Sequence, residues 1–202
     1  GMIDKIANNG FDFISLSSSN MDSFRVSDDF RSDERPFWYQ LAVRDVGFIN
    51  SAGNNSNSLS EIPLINPEKD VWAAKDDTVA PQFLQVGAID ENGALAEFSN
   101  FPGIDEDFQK RFILAPGTNI VAASHFDNEN LVSVSGTSFS APIVTAAAAL
   151  VKSQNPTLSN RSVLTILLES ADRSFAGYDP ELHGQGILDI EAALTFDTSG
   201  LE

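Results

Sequence analysis

Apolar residues come in short blocks along this chain, and their spacing divides it into strands and helices. Met2, Ile3, Ile6 and Ala7 fall at helical spacing and Asn9-Gly10 supplies a stop, which predicts a short amphipathic helix over residues 2–9. Residues 11–16 follow as a strand with bulky apolar positions. After a polar, aperiodic loop at 22–35, Pro36 opens a helix that carries Phe37, Trp38, Leu41, Ala42 and Val46 near one face, with Gly47 expected to end it. Phe48 and Ile49 lead a buried strand, FLQVGAI at 83–89 reads as another, and FILAPG at 112–117 is a short strand running into Ala115-Pro116-Gly117. Apolar runs at 120–123 and 131–134 are of β type.

The strongest helical signal lies near the middle of the second half. From Ala141 the chain reads Pro142, Ile143, Val144, then four alanines at 146–149, Leu150 and Val151. Alanine favours the helix and adds no bulk, so this segment is expected to be a central helix packed closely on most of its sides. Pro142 is tolerated in a first turn, where its missing N–H had no acceptor, so the start is expected just before it. Asn155-Pro156 stops the helix. Ser159 caps the next one, where Val163, Leu164, Leu167, Leu168 and Ala171 form an apolar stripe.

With 202 residues, 42% of them hydrophobic, the chain is one domain by size. Its formal charge of −17 would repel polyanions, so neither nucleic acid nor an anionic membrane surface is an expected partner. No apolar run approaches the roughly 18 residues of a membrane span. Cysteine is absent, which removes disulfides and thiolate metal sites and leaves the redox compartment unmarked. Gly1-Met2 has the look of a tag remnant ahead of a start.

The candidate chemistry gathers at residues 133–153. Ser135, Gly136 and Thr137 make a small-residue turn after a β-type run, and Ser138 stands at the mouth of the central helix, where N–H groups and the macrodipole favour developing negative charge. By itself such a serine reads as an N-cap. Ser51-Ala52-Gly53-Asn54-Asn55 after the second strand reads by itself as a turn, and Ser17-Ser18-Ser19-Asn20 as a polar strand end.

Taken together these words resemble the subtilisin-like serine proteases, the subtilases. GTSFSAP at 136–142 is similar to the family's serine box, Ala52-Gly53-Asn54 to its oxyanion-hole motif, VGAI with Asp90 and AEFSN at 96–100 to consecutive family segments, and His183-Gly184-Gln185-Gly186 to the closing turn before the last helix. The resemblance implies an α/β fold of three layers, with a mainly parallel sheet between helices in strand order 2-3-1-4-5-6-7. It makes residues 1–202 a partial peptidase domain, about the C-terminal two-thirds, without the N-terminal strands. Strand 11–16 would then be the fourth of that order and an open edge, and the strands kept would stay contiguous. Ser138 would be the acyl-forming nucleophile, with the Asn54 amide and the Ser138 N–H as oxyanion donors. Ser17, Ser18, Ser19 and Gly53 would line the bound peptide, although where the family has Ser-Leu-Gly-Gly this chain reads Ser17-Ser18-Ser19-Asn20 and the glycines are gone.

A serine needs a base and the base an orienting carboxylate. In the family the aspartate and histidine boxes come before the serine box, and both are expected ahead of Met2. His125, on an apparent hairpin tip, and His183, in the closing turn, are expected to be surface or structural. The chain alone is therefore expected to be inactive, the C-terminal portion of a serine endopeptidase acting on peptides or proteins. The alternative is an inactive relative serving as a binding or assembly module; an adhesive β-protein is disfavoured by the helices. The open edge points to a homo-oligomer, and the family to a secreted or periplasmic setting. Calcium is the one cofactor left open: Asp70, Asp76 and Asp77 carry suitable oxygens but match no calcium loop, so a solvated acidic face is expected instead.

Overall fold

The computed structural model describes residues 9–17, 37–61, 73–75, 77–124, 127 and 129–201. Residues 2–8 of the helix predicted over 2–9, the loop at 22–35, and Ser18, Ser19, Asp70, Asp76 and His125 lie outside the described residues. Four parallel strands, β1 (Phe13–Leu16), β2 (Gly47–Ser51), β3 (Phe83–Ile89) and β4 (Phe112–Pro116), lie side by side in chain order. The contiguity implied by the resemblance is what the sheet shows.

A parallel sheet must be covered on both faces, which is why these strands are near-continuous apolar runs. β3 is buried at every position. Register places Phe48 beside Phe83, Ile49 beside Leu84 and Val86 beside Ile113. Since successive side chains alternate, Phe48, Phe83, Phe112 and Leu114 fall in one apolar cluster and Ile49, Leu84, Val86, Ile113 and Ala115 in another. The first cluster includes Leu41 of α1 (Phe37–Ala42) and Phe108 of α2 (Glu106–Lys110). The second is covered by α3 (Thr137–Gln154), α4 (Asn160–Glu169) and α6 (Ile190–Leu194), beyond the short α5 (Pro180–His183). Helices on both faces of the parallel sheet complete the expected α/β sandwich. Gly87 belongs to the first face for steric reasons: a Cβ there would stand 2.5 Å from the Phe112 ring and 2.8 Å from Leu114.

Three expectations need correction. α1 ends at Ala42, not at Gly47, which instead opens β2. The stop is Asp45 in the left-handed region (φ 57°): its N–H reaches the Ala42 carbonyl at 3.0 Å while Val46 N–H reaches Leu41 at 3.1 Å, the two bonds of a Schellman turn. The Asp45 carboxylate earns its place by accepting from Gln82 Nε2 at 2.7 Å and from the Asn160 N–H at the start of α4 at 2.8 Å. Second, α3 starts at Thr137, so Pro142 lies inside the helix, not at its first turn. Third, α3 is not covered on most sides: Pro142, Ala146, Ala149, Leu150 and Ser153 form an exposed stripe.

The stripe predicted on α4 is buried throughout, and Ser159 caps it by accepting from the Ser162 N–H. β5 (Ile120–Ala123) and β6 (Leu131–Val134) form an antiparallel ribbon between β4 and α3. Residues 185–188 run beside β4: Gln185 N–H donates to the Phe112 carbonyl at 2.8 Å, Leu114 N–H to Gly186 at 2.9 Å and Leu188 N–H to Leu114 at 2.8 Å. That edge of the sheet is therefore covered. Among the described residues the outer edge of β1 has no strand beside it.

Candidate active site

Ligand sites in parallel α/β sheets lie beyond the carboxyl ends of the strands. Here the turn at 136–140 is tied to three of those ends at once. Beyond β4, the Pro116 carbonyl accepts from Ser140 Oγ at 3.0 Å and the Gly117 carbonyl from the Gly136 N–H at 2.8 Å. Beyond β2, Thr137 Oγ1 accepts from the Gly53 N–H at 3.1 Å. Beyond β1, Ser17 and Ser138 exchange two bonds: Ser138 Oγ donates to the Ser17 carbonyl at 3.1 Å and Ser17 Oγ to the Ser138 carbonyl at 2.9 Å. Ser17, Gly53, Asn54 and Ser138, distant in the chain, thus converge. Ser18 and Ser19 lie outside the described residues.

The orientation of Asn54 follows from donor chemistry. Its side chain meets the Thr137 N–H and the Thr137 hydroxyl, each at 2.9 Å. A backbone N–H can only donate, so the atom facing it is the amide oxygen Oδ1. Nδ2 consequently points the other way; it lies 3.4 Å from where a Cβ on Gly136 would be and has no hydrogen-bond acceptor among the described residues. Asn54 is exposed and Ser138 half-buried, so an incoming molecule reaches both. In the first turn of α3, where helical acceptors are lacking, the Thr137 N–H is taken by Asn54 and the Phe139 N–H by the Gly136 carbonyl at 3.0 Å. The Ser138 N–H between them has no acceptor among the described residues. One turn thus carries an open backbone donor, and an open amide donor faces it from the loop after β2.

Two residues that hold this arrangement carry no distinct signal in the sequence. Locally Thr137 is only part of a small turn, yet it is wholly buried and bonds both Gly53 and Asn54. Asn100, also buried, accepts from the Asn55 and Asn57 N–H groups at 3.1 and 3.0 Å and donates Nδ2 to the Ala52 carbonyl at 2.9 Å. It grips the Asn54 loop from beneath, and a Cβ on Gly53 would stand 2.5 Å from its Nδ2. The AEFSN word marked the segment but not the task. Asp90, ending the VGAI word, is a turn residue whose carboxyl is held below the usual range by the Ala94 N–H first and the Asn92 N–H second.

No imidazole among the described residues bonds Ser138. His183 is buried, its Nδ1 2.9 Å from the Asp179 N–H, with the Phe175 and Tyr178 rings packed around it, so it is structural as expected. Asp77 is exposed, and among the described residues no three His, Cys, Asp or Glu side chains gather where a metal would sit. No helix among the described residues is long and apolar enough to cross a membrane.

Comparison with known proteins agrees with this geometry. Residues 1–187 match the model of the subtilase family. Mycosin-5 of Mycobacterium tuberculosis is 30% identical over 211 residues, covering 95% of this chain and 35% of that protein. Subtilisin Savinase of Lederbergia lenta is 36% identical over 111 residues, 54% of this chain and 37% of its own length. Among solved structures, the prenylagaramide maturation protease PagA superposes with a TM-score of 0.67 at 28% identity, over 95% of this chain and 64% of that one. The chain thus spans about a third of the curated relatives and under two-thirds of the solved protease. With its sheet order, its serine turn and its sequence all in agreement, the chain belongs to the subtilase family of serine proteases.

Proposed function

We propose that this chain is the C-terminal, nucleophile-bearing portion of a subtilisin-like serine endopeptidase and forms part of one peptidase domain. The observation that carries the reading is the Asn54 amide, whose oxygen is tied to Thr137 so that its nitrogen is left open at the turn that carries Ser138. Ser138 Oγ attacks the carbonyl carbon of a peptide bond while its proton passes to a histidine, and the carbonyl oxygen becomes an oxyanion held by Asn54 Nδ2 and the Ser138 N–H. Collapse breaks the C–N bond, the departing amine takes the proton, and water then releases the acyl group by the reverse sequence. Ser17, Gly53 and the serines that follow Ser17 lie along the bound peptide. The histidine and its carboxylate are placed outside these 202 residues, so the chain alone is inactive. A secreted or periplasmic setting belongs to the same reading, and no step in it is routed through calcium.

The second reading, an inactive relative that binds or assembles, is favoured by one feature: the Ser138 hydroxyl is engaged by the Ser17 carbonyl instead of by a base. A fluorophosphonate, which marks only activated serines, separates the two. The chain is tested alone and then together with whatever its own gene encodes upstream. Labelling that appears only in the second case and vanishes in Ser138→Ala supports the protease; no labelling in either case establishes the inactive relative. In subtilisin the oxyanion asparagine is worth about 10²–10³ in kcat, and Asn54→Ala should slow labelling on that order.

A further inference from the structure

The reciprocal bonds between Ser17 and Ser138 have a covalent cause inside α3. In a regular helix the Ser138 carbonyl accepts from the N–H four residues on. That residue is Pro142, which has no N–H and whose ring crowds the carbonyl it should have met. A carbonyl deprived in this way needs another donor. It receives one from outside the helix: Ser17 Oγ, just past the end of β1, at 2.9 Å. Its own carbonyl returns the contact by accepting the Ser138 hydroxyl at 3.1 Å.

From this we infer that Ser17 is a positioning residue for the Ser138 nucleophile, fastened to it by a carbonyl that Pro142 leaves open. The inference rests on the reading of Ser138 as the nucleophile and adds to it a role for the Ser17 side chain separate from lining the peptide. Thr137 already fixes the serine turn to β2, and Ser140 fixes it to β4. The Ser17 hydroxyl supplies the remaining anchor, to β1, and is the one that acts on Ser138 itself. With the Ser138 carbonyl held, the peptide plane it shares with the Phe139 N–H cannot tip, which fixes the backbone on the C-terminal side of the Ser138 Cα and with it the direction in which the Ser138 side chain leaves the helix. The Ser17 carbonyl meanwhile holds Oγ in one place from which its proton can swing about the Cβ–Oγ bond toward a base.

The arrangement makes an unusual mutational prediction, because a second substitution should repair the first. Ser17→Ala removes the donor. Pro142→Ala supplies an N–H at the helical position and should satisfy the same carbonyl. Two measurements apply to wild type, Ser17→Ala, Ser17→Thr, Pro142→Ala and the double variant: the ¹³C shift of the Ser138 carbonyl in the 202-residue chain, and the rate of fluorophosphonate reaction and the kcat and KM for a peptide substrate in the full-length enzyme. Ser17→Ala should lower the reaction rate and kcat about 3- to 10-fold, the scale of one neutral hydrogen bond, with KM little changed. It should also move the Ser138 carbonyl signal upfield. Ser17→Thr, which keeps a hydroxyl, should stay near wild type, and the double variant should recover most of both losses.

The proposal is overturned if Ser17→Ala leaves the carbonyl shift unmoved, or if Pro142→Ala adds its own loss to that of Ser17→Ala instead of offsetting it. A fall in affinity alone, with kcat intact, likewise overturns it and leaves Ser17 as a peptide contact. Should full-length wild type fail to react at all, the nucleophile reading fails, while the carbonyl shifts still decide whether Ser17 and Pro142 are coupled.

Discussion

Asn100 is the most revealing residue to change, because it is buried, uncharged and not itself in contact with Ser138. Its side chain is 5% exposed and makes three bonds, two accepted from Asn55 and Asn57 N–H groups and one donated to Ala52. Each neutral hydrogen bond contributes about 0.5–1.5 kcal/mol net, so Asn100→Ala should cost about 2–4 kcal/mol. For a chain of this size one kcal/mol moves the melting point by about 2–4 °C, which gives a fall of roughly 5–15 °C. Circular dichroism melts of the chain measure it. Amide exchange locates it: the Asn55 and Asn57 N–H groups should lose protection while Val86, in the middle of β3, keeps its own. In the full-length enzyme the freed loop should also slow reaction at Ser138, because Asn54 is carried on it. A melting point within about 2 °C of wild type, or unchanged exchange at Asn55 and Asn57, would show that the loop is held by other contacts.

Gly87→Ala inserts a methyl 2.5 Å from the Phe112 ring in the middle of the sheet, and such overpacking costs about 1–3 kcal/mol; pairing it with Phe112→Leu should recover part of the loss in the same melts. The pH response of the Asp105 cap is a smaller effect. Burial raises its carboxyl, but the bond from Lys75 and the Asp107 N–H outweigh this and leave it below the ordinary value. A folded value below the unfolded one means a contribution present above about pH 4 and lost as pH falls further. Because the Lys75 and Asp105 side chains stay 36% and 27% exposed, solvent screens the pair and that contribution is at most about 1 kcal/mol; Asp105→Asn should flatten the acid limb of the melting profile slightly, and an unchanged limb would remove the pair from the account. Finally, the outer edge of β1, which has no strand beside it among the described residues, should draw copies of the isolated chain together, so light scattering should report a mass above the monomer that rises with concentration; a monomer at high concentration refutes strand pairing there.

Much of this molecule was written in local order. Strands buried on both faces need unbroken apolar runs, so β3 and β4 were visible in FLQVGAI and FILAP, and the α4 stripe was visible in its helical period. Ser138 and Asn54 stood out only through the family resemblance of GTSFSAP and Ala52-Gly53-Asn54, because taken locally the one is an N-cap and the other a turn. Where helices begin and end was less legible. Asp45, not Gly47, stops α1, because side-chain bonds to Gln82 and Asn160, far along the chain, support a left-handed aspartate. Pro142 is misleading in the same way: its local rule places it in a first turn, but the Ser17 hydroxyl just past β1 answers the carbonyl it orphans, and the helix starts at Thr137. The tasks of Thr137, Asn100 and Ser17 were decided by tertiary structure alone. Each works through a hydrogen bond to a distant segment, and such bonds depend on which strand ends meet, which no spacing within a single segment records.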